Sequence, residues 1–193
     1  MKKLPEDLRI LILMLGSYKN KIENKMRLHK IIFLLSKKYP ELEKFADFEA
    51  YYYGPYGEGV ESALDSLVSN GLLEEINERG RKSYIVTSRG REVANKLVKE
   101  FPELYNEIVE LYDIIDNLTD DELLALVYFS YPEYAKESKI YEKIRERRVE
   151  LAASLYQKGV VSLGKAAEIA GMGREDFQNY LKTKKIPIAV SAV

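Results

Sequence analysis

Near the C-terminus, Arg174, Gln178, Asn179 and Lys182 recur at spacings that share one side of a helix, and Lys184 and Lys185 follow directly. Arginine can pair bidentately with guanine, and Gln or Asn with adenine, at base edges in the major groove. Lys182, Lys184 and Lys185 are placed to neutralise phosphates. Glu175 and Asp176 favour the dipole of a helix beginning there but oppose close phosphate approach. A second basic set, Arg79, Arg81 and Lys82, lies in the polar turn NERGRK between two β-prone segments. At the tip of a hairpin, those cations would meet a nucleic-acid backbone.

Other chemistries find little support. There are no cysteines, which removes disulfides, thiolate metal sites and cysteine nucleophiles. The single histidine, His29, excludes multi-histidine metal sites, and its place between Leu28 and Lys30 on a helix is that of a structural or solvent-facing residue. The carboxylate pairs Glu74–Glu75 and Asp120–Asp121 are adjacent in sequence and diverge, so no acid/base dyad forms. GPYGEG lacks the Lys-Ser/Thr of a phosphate loop. No catalytic, cofactor or metal residue is expected, and the chain does not read as an enzyme. Tyr51, Tyr52, Tyr53 and Tyr56 could stack on bases, but alternate strand tyrosines ordinarily pack into a core, and at least two are expected to do so.

The 193 residues are 46% hydrophobic and 32% charged, with 30 basic against 31 acidic side chains. Overall charge therefore decides nothing about nucleic acid, and local distribution must. No run of apolar residues is long enough to span a membrane. The opening MKKLPEDLRILILMLGSY is superficially like a signal peptide, but Glu6, Asp7 and Arg9 precede its short apolar run, and no small-residue cleavage site follows. A cytoplasmic protein is expected.

The elements that must position these residues follow from periodicity. Leu8, Leu11, Ile12 and Leu15 make a helical stripe over Leu4 to Ser17. A second helix runs from about Asn24, its N-cap, to Lys38, with Pro40 as the stop. Phe48 to Tyr53 reads as a short strand and GPYG (Gly54 to Gly57) as a turn. A third helix covers Gly57 to Ser69. Leu73 to Val86 then forms the basic-tipped hairpin, and Thr87 or Ser88 caps a helix carrying Val93, Leu97 and Val98. Helix, helix, short strand, helix, hairpin, helix is the order of a winged helix. A scaffold for protein contacts would read the same way. Between Glu100 and Glu133 there are ten acidic residues and no basic one. That stretch should avoid DNA; it reads first as the solvated acidic face of packing helices, and otherwise suits a spacer, a dimer surface or a partner-binding surface. Thr119 and Glu122 form a capping box there.

From Glu137 to Ile186 the balance reverses, with about eleven basic and seven acidic residues. IYEKIRERRVELAASLYQKG reads as one long amphipathic helix ending at Gly159. Ser162 then caps a short helix to Ala170, Gly171 turns the chain with positive φ, and a second helix runs from Gly173 to Lys182. Ala166, Ala167 and Ala170 allow close approach, while Met172, Phe177 and Tyr180 plug the angle. Small, Gly and apolar residues in that register are the signature of a helix-turn-helix. The expected fold is mainly α with a small β-hairpin: a winged-helix-like domain over 1–98, an acidic helical connector over 99–136, and a long helix plus helix-turn-helix over 137–193.

The segment LYQKGVVSLGKAAEIAGMGREDFQNYLKTKKIPI resembles a small prokaryotic family of uncharacterised helix-turn-helix proteins with an SLGKAAE-x-AG motif. Ser162, Leu163, Gly164, Lys165, Ala166, Ala167, Glu168, Gly171, Phe177, Ile186 and Pro187 carry the likeness. More weakly, Arg27, Leu28, Lys30, Ile31, Phe33 to Leu35, Tyr53, Gly54, Pro55 and the NGLL that closes the third helix resemble the Panacea-type antitoxin domain and related winged-helix proteins. Together the resemblances imply transcriptional autoregulation, neutralisation of a toxin, or both. The leading expectation is a dimeric regulator binding double-stranded DNA through Arg79, Arg81, Lys82, Arg174, Gln178, Asn179, Lys182, Lys184 and Lys185. The alternative is an antitoxin or adaptor that binds a protein partner and does not read DNA.

Overall fold

The computed structural model describes residues 7–78 and 81–188. Helices dominate, with a few short antiparallel strands, as the sequence predicts. Two compact units form: Met1–Glu49 with Pro55–Asp116, and Ala50–Gly54 with Asn117–Val193.

The first unit begins with α1 (Leu8–Lys19), capped by the Asp7 side chain. Its apolar run LILML is too dense for a single stripe. Leu11, Ile12, Leu13, Met14 and Leu15 are all buried, so α1 is a central helix with neighbours on several sides. Asn20 takes the left-handed conformation (φ 57°), ends α1 and turns the chain into β1 (Lys21–Ile22). Next, α2 (Lys25–Lys38) starts at Asn24, whose side chain accepts from the Met26 N–H, and stops before Pro40. A 3-10 turn at Pro40–Leu42 leads into the short α3 (Glu43–Ala46).

β2 (Phe48–Tyr51) and β3 (Gly54–Gly57) form a two-stranded sheet. GPYG is thus a strand, and the turn falls earlier, at Tyr52 and Tyr53. The expectation that at least two of the four tyrosines enter a core is wrong. Tyr51, Tyr52 and Tyr53 are 41%, 43% and 49% exposed, and Tyr56 is only half-buried. The inward positions of β2 belong to Phe48 and Ala50, which leaves Tyr51 outside.

Then come α4 (Glu58–Ser69), the hairpin β4 (Leu73–Glu78) and β5 (Arg81–Val86), α5 (Ser88–Glu100) and α6 (Pro102–Asp116). Thr87 caps α5 by accepting from the Gly90 N–H. β5 is the central strand of a three-stranded sheet, β1-β5-β4. The strand that completes the hairpin is therefore Lys21–Ile22, between the first two helices, and not the tyrosine segment.

His29 is structural. It is 3% exposed, stacks on Tyr56 and accepts from the Gly57 N–H at Nδ1, 3.1 Å away. Its proton therefore sits on Nε2 and faces Glu61 Oε1 at 2.9 Å. Burial lowers the imidazole pKa against the opposing pull of Glu61. The adjacent Lys30 is also buried, its Nζ donating to the Pro55 carbonyl at 2.8 Å; burial pushes its pKa down to about 7.

The second unit is built around α7 (Asp120–Ser130), followed by a 3-10 turn at Pro132–Tyr134, α8 (Tyr141–Glu146), α9 (Arg148–Gln157), α10 (Leu163–Ala170) and α11 (Arg174–Thr183). The expected single long helix is two, because Arg147 (φ −101°, ψ 12°) breaks it. The break lets Ile144 on α8 and Leu151 and Leu155 on α9 all reach the core. Thr119 and Glu122 make the capping box at the start of α7.

Glu122 is buried, yet it is charged. Burial opposes its ionisation, but hydrogen bonds from Lys158 (2.7 Å), Ser154 (2.5 Å) and Thr119 outweigh this and hold its pKa at about 2. A carboxyl depressed on folding stabilises the fold fully above its unfolded pKa and loses that stabilisation as pH falls. From 4.5 to about 2, the contribution is about 3 kcal/mol at neutral pH, of which about 2 kcal/mol is lost by pH 3. Urea unfolding of wild type and Glu122→Gln should show the gap between them narrowing by that amount between pH 7 and pH 3. A gap independent of pH would contradict the assignment.

Candidate nucleic-acid interface

α10 and α11 form the helix pair expected from the motif. Ser162 caps α10, its hydroxyl accepting from the Lys165 N–H at 3.2 Å. Gly171 closes it in the left-handed conformation (φ 70°), a region that favours glycine. Its N–H donates to the Glu168 carbonyl and the Met172 N–H to the Ala167 carbonyl, so two carbonyls of the last turn of α10 find partners as the chain reverses. Gly173 then starts α11.

The inner face of α10 is Ala166, Ala167, Ile169 and Ala170, all buried. Phe177 and Leu181 are the buried residues of α11, each fully enclosed. Met172 and Tyr180, expected as plugs, are half-buried and sit at the edge. Leu181 was missed as an anchor, although its spacing of four from Phe177 puts it on the same face.

On the outer face, Arg174, Asn179 and Lys182 are exposed and Gln178 is half-buried. Lys184 and Lys185 are exposed just past the helix end. Lys184 lies 5.7 Å from the Tyr180 ring centroid.

The remaining cations of this region are held by internal partners. Lys143 and Arg147 pair with Asp121, and Arg147 also with Glu150. Arg145 pairs with Glu142, Lys158 with Glu122, and Lys165 with Glu168. Lys139 lies over the Tyr52 ring, 3.4 Å from its centroid. Arg148 points at the carbonyls of Glu168 and Ile169. Among the described residues, Arg174, Lys182 and Lys185 have neither an ion pair nor a hydrogen bond from their side chains. Within residues 137–186, the positive charge that remains available is thus concentrated on α11 and its exit; outside that stretch Lys44, Arg89, Lys96, Lys99 and Lys136 are exposed as well.

The three contacts expected at the hairpin fare differently. Arg79 and the Arg81 side chain lie outside the described residues. Lys82 is exposed, but it pairs with Glu75 at 2.9 Å across the hairpin. The register also sets Glu78 opposite Arg81 and Asn77 opposite Lys82. β4 therefore sets Glu75 beside Lys82, the one cation of β5 whose side chain is described. In a winged helix the helix before the hairpin, here α4, often enters the major groove. It carries Glu58, Glu61 and Asp65 with no cation. Its first turn is covered by α3, since a Cβ on Gly59 would fall 1.9 Å from the Phe45 carbonyl oxygen.

Residues 129–193 match the model of the uncharacterised protein family UPF0175. The resemblance seen in the SLGKAAE-x-AG segment therefore holds, and the UPF0175 match reaches back to Phe129 at the end of α7. A UPF0175 protein of Aeropyrum pernix is 48% identical over 44 residues, which cover 23% of this chain and 49% of that relative. Another, from Archaeoglobus fulgidus, is 42% identical over 43 residues, covering 22% and 49%. The chain thus spans about half the length of the curated UPF0175 relatives it matches. No solved structure matches it. Among the described residues, no helix is long and apolar enough to cross a membrane, and no group of side chains could hold a metal ion.

Proposed function

We propose that the C-terminal unit binds double-stranded DNA, with α11 in the major groove, and that the protein is a transcriptional regulator. The partition of cations carries this reading. Lysines and arginines elsewhere in residues 137–186 are engaged internally, whereas Arg174, Lys182 and Lys185 stand unengaged around the outer face of α11. Arg174, Gln178 and Asn179 then meet base edges, and Lys182, Lys184 and Lys185 meet phosphates. A second copy would supply a second reading helix, with half-sites one helical turn apart. The helix order of the first unit and its β1-β5-β4 sheet support a winged-helix ancestry. The carboxylates of α4 and the Glu75–Lys82 pair favour protein contacts there rather than DNA contacts. An antitoxin that regulates its own promoter would use both units in this way.

The test is fluorescence anisotropy with the duplex upstream of the protein's own gene, at 50 and 200 mM salt. Binding that weakens steeply with salt is expected. No binding at low salt would remove the reading. A small protein of a neighbouring gene co-purifying with the chain, without any duplex binding, would favour an adaptor instead.

A further inference from the structure

Arg148 is the first residue of α9, where a cation opposes the helix dipole. Its surroundings explain it. The guanidinium crosses to the C-terminal end of α10, where Nε donates to the Ile169 carbonyl and Nη2 donates to the Glu168 carbonyl at 3.0 Å. A positive group is favoured at that end, whose last carbonyls lack partners within the helix. The carbon of the guanidinium also lies 4.3 Å from the ring centroid of Phe129, on α7. On its remaining side is the Gly171 turn. A Cβ on Gly171 would fall 2.6 Å from Nη1.

We infer that Arg148 is the positioning residue of the reading helix: one guanidinium braces the α10–α11 turn against α7 and α9. The inference deepens the DNA-binding reading and rests on it for its consequence, though not for its geometry. Gly171 is favoured by its positive φ, and a side chain there would also push against the Arg148 guanidinium. The role requires arginine. A planar fork reaches two carbonyls while lying on an aromatic ring, whereas a lysine ammonium brings the same charge without that shape. In sequence, Arg148 is indistinguishable from its neighbour Arg147. In the structure, Arg148 is turned inward.

Two readouts test this on the full chain. The first is hydrogen exchange without DNA. In both Arg148→Met and Arg148→Lys, amide protection over α10 and α11 should fall tenfold or more while α7 keeps its protection. The second is duplex affinity, which should fall at least tenfold in both variants. A residue acting through its charge on phosphate would be rescued by lysine and would show a salt slope lower by about one in methionine. Rescue of protection or affinity by Arg148→Lys, or unchanged α11 protection in Arg148→Met, would overturn the inference. Should Arg148→Met lose protection in α7 as well, Arg148→Gln, polar but too short to span both carbonyls and the Phe129 ring, carries the test. Protection lost at α10 and α11 alone supports the brace, and unchanged or uniformly lost protection refutes it. If the wild-type chain binds no duplex, the regulatory reading fails and the exchange result still decides the brace.

Discussion

Phe177→Ala should destabilise the C-terminal unit by about 3–5 kcal/mol, the ordinary range for emptying a fully enclosed phenylalanine site. Its ring is 0% exposed and stacks at 6.3 Å from Tyr180. The loss is concentrated because α11 has just ten residues and two buried anchors, Phe177 and Leu181. A helix that short is marginal in water and depends on its packed face. Without Phe177, α11 should detach before α7 and α9 unfold. Amide exchange would show this as protection lost from residues 174–183 and retained around Leu123 and Val127. Asn179→Ala is the control, since an exposed side chain without a partner costs within about 0.5 kcal/mol. Equal destabilisation by both variants would mean that α11 is not anchored as described.

The triple change Lys182→Ala, Lys184→Ala, Lys185→Ala should lower duplex affinity on the order of 100-fold at 0.1 M salt and reduce the salt slope by about 3. Each lysine that neutralises one phosphate contributes about 0.9 to that slope. The fold should survive, because all three side chains are exposed and none is paired with a carboxylate. Lys82→Ala should change affinity less than about twofold, because Glu75 already offsets its charge. A triple variant with wild-type affinity, or a Lys82 variant with the larger loss, would move the interface to the hairpin.

What could be read in the sequence was local. Asn24, Thr119 and Ser162 act as N-caps because capping depends on a residue and the next three positions. Gly171 was legible for the same reason, since a left-handed turn between two apolar-periodic segments favours glycine. What was hidden depends on distant partners. Lys21–Ile22 is a strand only because Ile85 and Tyr84 lie opposite it. His29 is core because Gly57 and Glu61 meet both of its nitrogens. The break at Arg147 leaves the helical periodicity of that stretch intact, so periodicity does not reveal it. The basic excess after Glu137 was visible, but not its division into paired and unpaired cations. That division depends on Asp121, Glu122 and the end of α10, and it carries the functional reading.

Amide resonances of the full chain, followed as the promoter duplex is added, locate the interface directly. Shifts clustered at Arg174–Lys185, with residues 58–69 and the hairpin around Lys82 unmoved, are expected if α11 is the reader. Shifts confined to α4 or the hairpin, or none at a salt concentration where the protein is folded and the duplex intact, would contradict it.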